Sequence, residues 1–89
     1  MSNTEETLLE FPCQFPIKAM GLADDDFDAL VVSIVRQHVE DINEGAVKTR
    51  ASSNGKYMSV TVTFTAHNKD QIDNIYLALT GHDRVMTVL

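Results

Sequence analysis

The stretch VKTRASSNGKYMSVTVTFTA, Val47 to Ala66, decides the fold class of this chain. Asn54-Gly55 at its middle is the strongest short-range signal for a two-residue β-hairpin, because a type I′ turn needs positive φ at both central positions. The flanks test that assignment independently. With Asn54 and Gly55 as the loop, Ser53 pairs with Lys56. Counting outward then sets Ala51 opposite Met58, Thr49 opposite Val60 and Val47 opposite Val62. These pairs gather the mostly apolar residues on one face, and Ser52 with Tyr57, Arg50 with Ser59 and Lys48 with Thr61 fall on the other. Register and hydrophobic pattern agree, although a slip of one residue would exchange the faces. Two strands are predicted, Val47–Ser52 and Tyr57–Ala66.

Working back from the hairpin, Phe27, Leu30, Val31, Ile34, Val35 and His38 recur at helical spacing. Asp24 or Asp25 is placed to cap this helix, and Asp26 and Asp28 in its first turn suit the positive end of the helix dipole. Its end is predicted near Val39, ahead of Glu40, Asp41 and Glu44 and the breakers Asn43–Gly45. Before it, Phe15–Met20 alternates as a half-buried strand, with Phe15, Ile17 and Ala19 on one side and Pro16, Lys18 and Met20 on the other. Gly21 then permits a sharp change of direction. Pro12 and Pro16 favour extended geometry around Phe11–Phe15, and residues 1–10 read as a polar, acidic arm.

Forward from the hairpin, Asn68 caps a second helix with Gln71 three residues on, as in a capping box. Ile72, Ile75, Tyr76 and Leu79 form its apolar stripe, and Gly81 is placed to end it in the left-handed conformation. Arg84–Leu89 completes the set as a last strand. The order is β-α-β-β-α-β. Two helices with one apolar stripe each, joined by right-handed crossovers, give an α+β, ferredoxin-like two-layer sandwich. Its four-stranded antiparallel sheet has strand order 4-1-3-2, with both helices on one face and the other left open.

Composition sets the outer bounds. Eighty-nine residues leave room for one core, here residues 11–89, with a stability on the order of 5–10 kcal/mol. No apolar run reaches the roughly 20 residues of a membrane-spanning helix, and the acidic start lacks the pattern of a secretory signal. A lone Cys13 suits a reducing, cytoplasmic setting. The net charge of −6 argues against nucleic acid as a partner. The charge is uneven: residues 1–45 hold ten acids and two bases, residues 46–89 three acids and five bases. Three of those five, Lys48, Arg50 and Lys56, cluster around the hairpin.

No catalytic, cofactor or metal signature is present. His38, His67 and His82 are scattered, whereas a metal site needs three or four converging ligands. Cys13 has no neighbouring base to activate it. Asp24-Asp25-Asp26 lacks the alternate spacing and glycine turn of a calcium loop and reads as helix capping. The glycines are isolated turn residues, and phosphate-loop and dinucleotide motifs are absent. One aromatic, Tyr57, on the open face of the third strand falls short of the stacking platform of an RNA-recognition sheet.

Several segments together resemble the YbeD family of small bacterial proteins: Leu8-Leu9-Glu10-Phe11-Pro12, Phe15-Pro16-Ile17-Lys18-Ala19-Met20-Gly21, Ser52-Ser53-Asn54-Gly55-Lys56-Tyr57-Met58-Ser59-Val60 and Arg84-Val85-Met86-Thr87-Val88-Leu89. The resemblance spans about residues 8–89. It implies a ferredoxin-like fold similar to the ACT domains that regulate amino-acid metabolism, and it brings no assigned activity. Met20–Asp24 departs from the turn at which ACT domains hold an amino acid.

The expectation is a non-catalytic regulatory or adaptor domain without cofactor or metal. It would bind a partner protein, or a second copy as a homodimer, through the open sheet face and the hairpin. The residues involved would be Lys18, Met20, Lys48, Arg50, Ser52, Asn54, Gly55, Lys56, Tyr57, Ser59 and Thr61. The last strand would add either Met86 and Val88, or Val85, Thr87 and Leu89. The alternative is an ACT-like sensor holding a small ligand at Met20, Gly21 and Leu22, beside the start of the first helix.

Overall fold

The computed structural model describes residues 10–89, so most of the expected N-terminal arm lies outside the described residues. The elements are β1 (Cys13–Leu22), α1 (Phe27–Arg36), a 3-10 turn (Glu44–Ala46), β2 (Val47–Ala51), β3 (Tyr57–Ala66), α2 (Lys69–Thr80) and β4 (Thr87–Val88). The sheet order is β2-β3-β1-β4, the expected 4-1-3-2 read from the other edge, and every pairing is antiparallel. This is the ferredoxin-like α+β layout. β1 and β3 run side by side over ten residue pairs, from Cys13–Ala66 to Leu22–Tyr57.

Strand alternation builds the core. Ile17 and Ala19 of β1 and Val60, Val62, Phe64 and Ala66 of β3 are buried on the helix side. Phe27, Val31, Ile34 and Val35 of α1 and Ile72, Ile75 and Leu79 of α2 close over them. Phe64 packs tilted against Phe15, ring centroids 5.9 Å apart. No polar side chain is buried in this layer among the described residues.

The hairpin keeps its expected register, Ala51–Met58, Thr49–Val60 and Val47–Val62, but changes its turn. Only Gly55 has positive φ, at 76°, so the type I′ turn does not form. Instead Gly55 N–H donates to the Ser52 carbonyl at 2.9 Å, and a four-residue loop runs from Ser53 to Lys56. Side chains explain the preference. Asn54 Oδ1 accepts from the Lys56 N–H at 3.0 Å and from Ser52 Oγ at 2.9 Å, while Ser52 Oγ accepts from the Tyr57 N–H at 3.0 Å. Two- and four-residue loops leave the same partners facing, which is why the register survives.

The helix ends also differ from expectation. Asp26, not Asp24 or Asp25, occupies the N-cap position of α1, and it makes no side-chain cap bond. α1 ends at Arg36, where Gln37 and His38 N–H groups reach back three residues to Ile34 and Val35. That tighter winding leaves His38 half-exposed and turns Val39 into the core. At α2 the Asn68 cap is as expected, its Oδ1 accepting from Gln71 N–H at 2.8 Å. Gln71 Oε1 accepts from the His67 N–H, and its amide nitrogen donates to the His38 carbonyl, tying α2 to the segment that follows α1. Gly81 ends α2 at φ −80°, in the ordinary right-handed region.

β4 is shorter than the expected Arg84–Leu89. Val85 N–H turns back to the His82 carbonyl, and Val85 is buried. Regular pairing spans Thr87 and Val88, with Leu89 and Lys18 exchanging both backbone hydrogen bonds at 2.8 and 3.1 Å. Val88 lies opposite Ala19 and therefore on the helix side. Thr87 and Leu89, opposite Met20 and Lys18, take the open face.

Candidate functional site

The open face is a grid set by strand register. Lys48, Thr61 and Lys18 form one row across β2, β3 and β1. Arg50, Ser59, Met20 and Thr87 form the next. Tyr57 and Leu22 form a third, beside the hairpin. Rows recur every two residues, about 7 Å, and neighbouring strands lie about 4.8 Å apart. Lys18 and Lys48 thus stand roughly 10 Å apart with Thr61 between them.

Between the second and third rows lies a hollow of about 240 Å³, lined by Lys18, Met20, Arg50, Ala51, Ser52, Tyr57, Met58 and Ser59. A second, more apolar hollow of about 240 Å³ adjoins it, lined by Met20, Gly21, Tyr57, Met86 and Thr87. Met20 and Tyr57 form the wall they share. Lys18, Met20, Arg50, Ser52, Tyr57 and Ser59 are therefore brought together as the sequence suggested, with Lys48 and Thr61 one row away. Asn54, Gly55 and Lys56 sit beyond the hollow at the hairpin tip. There Asn54 braces the loop, and Lys56 Nζ lies 5.4 Å from the Tyr57 ring centroid. Met58 joins the site unannounced, and Met86 and Thr87, one from each of the two sets offered for the last strand, both line it. Thr87 follows from strand parity, whereas Met86 depends on the irregular start of β4.

Charge separates sharply from this face. The four strands contain no acidic residue, yet carry Lys18, Lys48 and Arg50. None of these three, nor Lys56, forms an ion pair among the described residues. Among the described residues the acids lie on the helices and loops, with Asp41 beside the far end of the face near Gln14 and Thr65.

The alternative ligand position is tightly built on its helix side. A Cβ on Gly21 would stand 2.5 Å from the Arg84 carbonyl oxygen and 2.7 Å from the Phe27 ring. Leu22 faces away, lining a notch with Asp24, Asp83, Arg84 and Met86. The helix N-terminus is itself occupied. Arg84 clasps Asp26 through both guanidinium nitrogens, at 2.7 and 3.2 Å, and Asp24 at 3.3 Å. This clasp explains why the aspartates leave the cap bond unmade.

Hydrogen bonding from Arg84, reinforced by its charge, holds the Asp26 carboxyl below its ordinary value of 3.8. A group with a lowered folded-state pKa adds stability above the unfolded value and loses it as pH falls through the folded one. The wild type should therefore lose melting temperature on acidification below about pH 4 more steeply than Arg84→Met. The pair is exposed, so the difference should be small and should shrink in salt. Melts between about pH 5 and pH 2.5 check this, and parallel slopes would refute it.

Two histidines judged scattered in sequence share a groove. His38 and His67 line a space of about 480 Å³ with Val39, Glu40, Asp41, Thr65 and Gln71. No group of three or more His, Cys, Asp or Glu among the described residues is arranged to hold a metal ion. No helix among them is long and apolar enough to cross a membrane.

A family model described as "Protein of unknown function (DUF493)" matches residues 6–89. A UPF0250 protein of Paraburkholderia phytofirmans is 47% identical over 89 residues, all of both chains. One of Chromobacterium violaceum is likewise 47% identical over 89 residues and all of both chains. One of Neisseria gonorrhoeae is 45% identical over 87 residues, 98% of this chain and 96% of the relative. Among solved structures, the solution structure of Protein HP0495 from H. pylori superimposes with a TM-score of 0.69 at 17% identity, covering 91% of this chain and 85% of that one. At that identity the likeness speaks for the fold alone.

Proposed function

The chain belongs to the DUF493 family of small bacterial proteins, and on that premise we propose that it is a non-catalytic regulatory or adaptor domain that binds a partner protein through its open sheet face. The observation that supports this most is the charge separation. In a chain of net charge −6, the sheet and hairpin keep four cations and no acid. Cations left unpaired beside an apolar hollow suit recognition of another molecule better than they suit stability. Each hollow taken alone, at about 240 Å³, is also smaller than the roughly 300–1,000 Å³ of typical small-ligand sites, and both open on a broad face.

The test compares wild type with Lys48→Glu/Arg50→Glu as baits in a lysate of the source bacterium. Both side chains are exposed on an edge strand, so stability should change by about 0.5 kcal/mol or less. A protein retained by wild type and lost from the variant is the expected result. Equal retention by both baits overturns the reading. Empty baits would move the weight to the ACT-like alternative around Met20, Gly21 and Leu22, to be followed by a thermal-shift screen of metabolites.

A further inference from the structure

The cations of the open face and its apolar hollow lie side by side. Lys18 and Lys48 share one row, Arg50 sits one row closer to the hairpin, and the hollow opens between Met20 and Tyr57. We infer that the occupant of this face is an acidic protein segment with a large apolar side chain within about 10 Å of its carboxylates, half a row from Arg50 and one and a half rows from Lys18 and Lys48. The inference rests on the partner-binding reading and gives that partner its chemistry.

Charge complementarity is the main argument. Carboxylates opposite Lys18, Lys48 and Arg50 meet cations that no acid of the described chain neutralises. The hollow, about 240 Å³ and walled by Met20 and Tyr57, takes an aliphatic or aromatic anchor. Methionine walls adapt to the shape of such an anchor.

The same grid disfavours a second copy. A two-fold, face-to-face dimer would press Lys18, Lys48 and Arg50 against the same three residues. Antiparallel pairing of two β2 edges into one continuous sheet, in the registers that join their centres, sets Lys48 opposite Arg50 or one of the two opposite its own copy. Like charges directly opposed across strands are destabilising. Nucleic acid has cations to meet but would also approach a chain of net charge −6.

The experiment places a photo-crosslinking phenylalanine analogue at Ser59 and, separately, at Thr61, in the full chain within its native host. Thermal melts confirm that each variant folds. The expected adduct, from at least one position, is a segment of another protein with two or more Asp or Glu beside a Leu, Ile, Met or Phe. The synthetic peptide of that segment should then bind wild type and weaken about tenfold or more with Lys48→Glu/Arg50→Glu. It should weaken similarly with Tyr57→Ala, and when NaCl rises from about 50 to about 500 mM.

An adduct with a neutral or basic segment overturns this inference and leaves the partner-binding reading in place. An adduct with a peptide of this same chain overturns it in favour of self-docking. Folded variants that form no adduct at either position overturn both.

Discussion

Truncating Phe27 to alanine should lower the unfolding free energy by about 3–5 kcal/mol, the range for removing a buried aromatic ring. Phe27 opens α1, is fully buried, and fills the space that Gly21 leaves beneath the turn into the helix. Alanine there cannot be compensated by collapse, because the neighbouring Gly21 has no side chain to move inward. A domain of this size holds roughly 5–10 kcal/mol in all, so the variant should stand close to its unfolding threshold. Each kcal/mol corresponds to about 4–8 °C, which places the expected fall in melting temperature at roughly 15 °C or more. Urea denaturation followed by circular dichroism measures it, and a loss below about 1 kcal/mol would show that the site repacks.

Gly21→Ala is the complementary experiment, adding atoms where Phe27→Ala removes them. Substituting alanine for a strand glycine ordinarily helps by about 0.4–1 kcal/mol, through the unfolded chain. Here the added methyl meets the Arg84 carbonyl oxygen at 2.5 Å and the Phe27 ring at 2.7 Å. One of these is backbone and the other a buried ring, so neither yields freely. Overpacking of this kind costs about 1–3 kcal/mol, and a net loss of that size is expected. The two substitutions share atoms and should not add. With the ring gone, Gly21→Ala should cost less, although the Arg84 carbonyl still opposes it. Strict additivity in the double variant would mean that the Phe27 ring is not what excludes a side chain at position 21.

What the sequence could announce follows from distance along the chain. The hairpin register was legible because strand parity and hydrophobic alternation are local and mutually constraining. Its turn type was not. Asn54 and Ser52 spend their side chains on the Lys56 and Tyr57 amides and stabilise a longer loop of the same parity. The Asn68 cap was legible for the same local reason. The aspartates before α1 looked like caps because their true partner, Arg84, lies 58 residues from Asp26. The facing of β4 depended on whether Val88 or Thr87 met Ala19, a tertiary fact. Of the candidate site, the residues on β1, β2 and β3 could be assigned to one face in advance. The hollows could not, since Ala51 and Met58, of the opposite strand parity, help line the first and Met86 reaches the second from an irregular segment.

The long seam between β1 and β3 has a consequence for when the face exists at all. The β2–β3 hairpin closes locally and supplies Lys48, Arg50 and Tyr57 early, on the microsecond scale of hairpin formation. Lys18 and Met20 reach that surface only after β1 docks against residues tens of positions away, a slow step because chain entropy opposes it. The hollow is thus completed by a long-range pairing rather than by the hairpin alone, and a chain in which β1 is detached presents only half of it. A partner that needs both halves recognises only the native state. By mass action such a partner would hold the β1–β3 seam closed, so that occupancy of the face and persistence of the fold would rise and fall together.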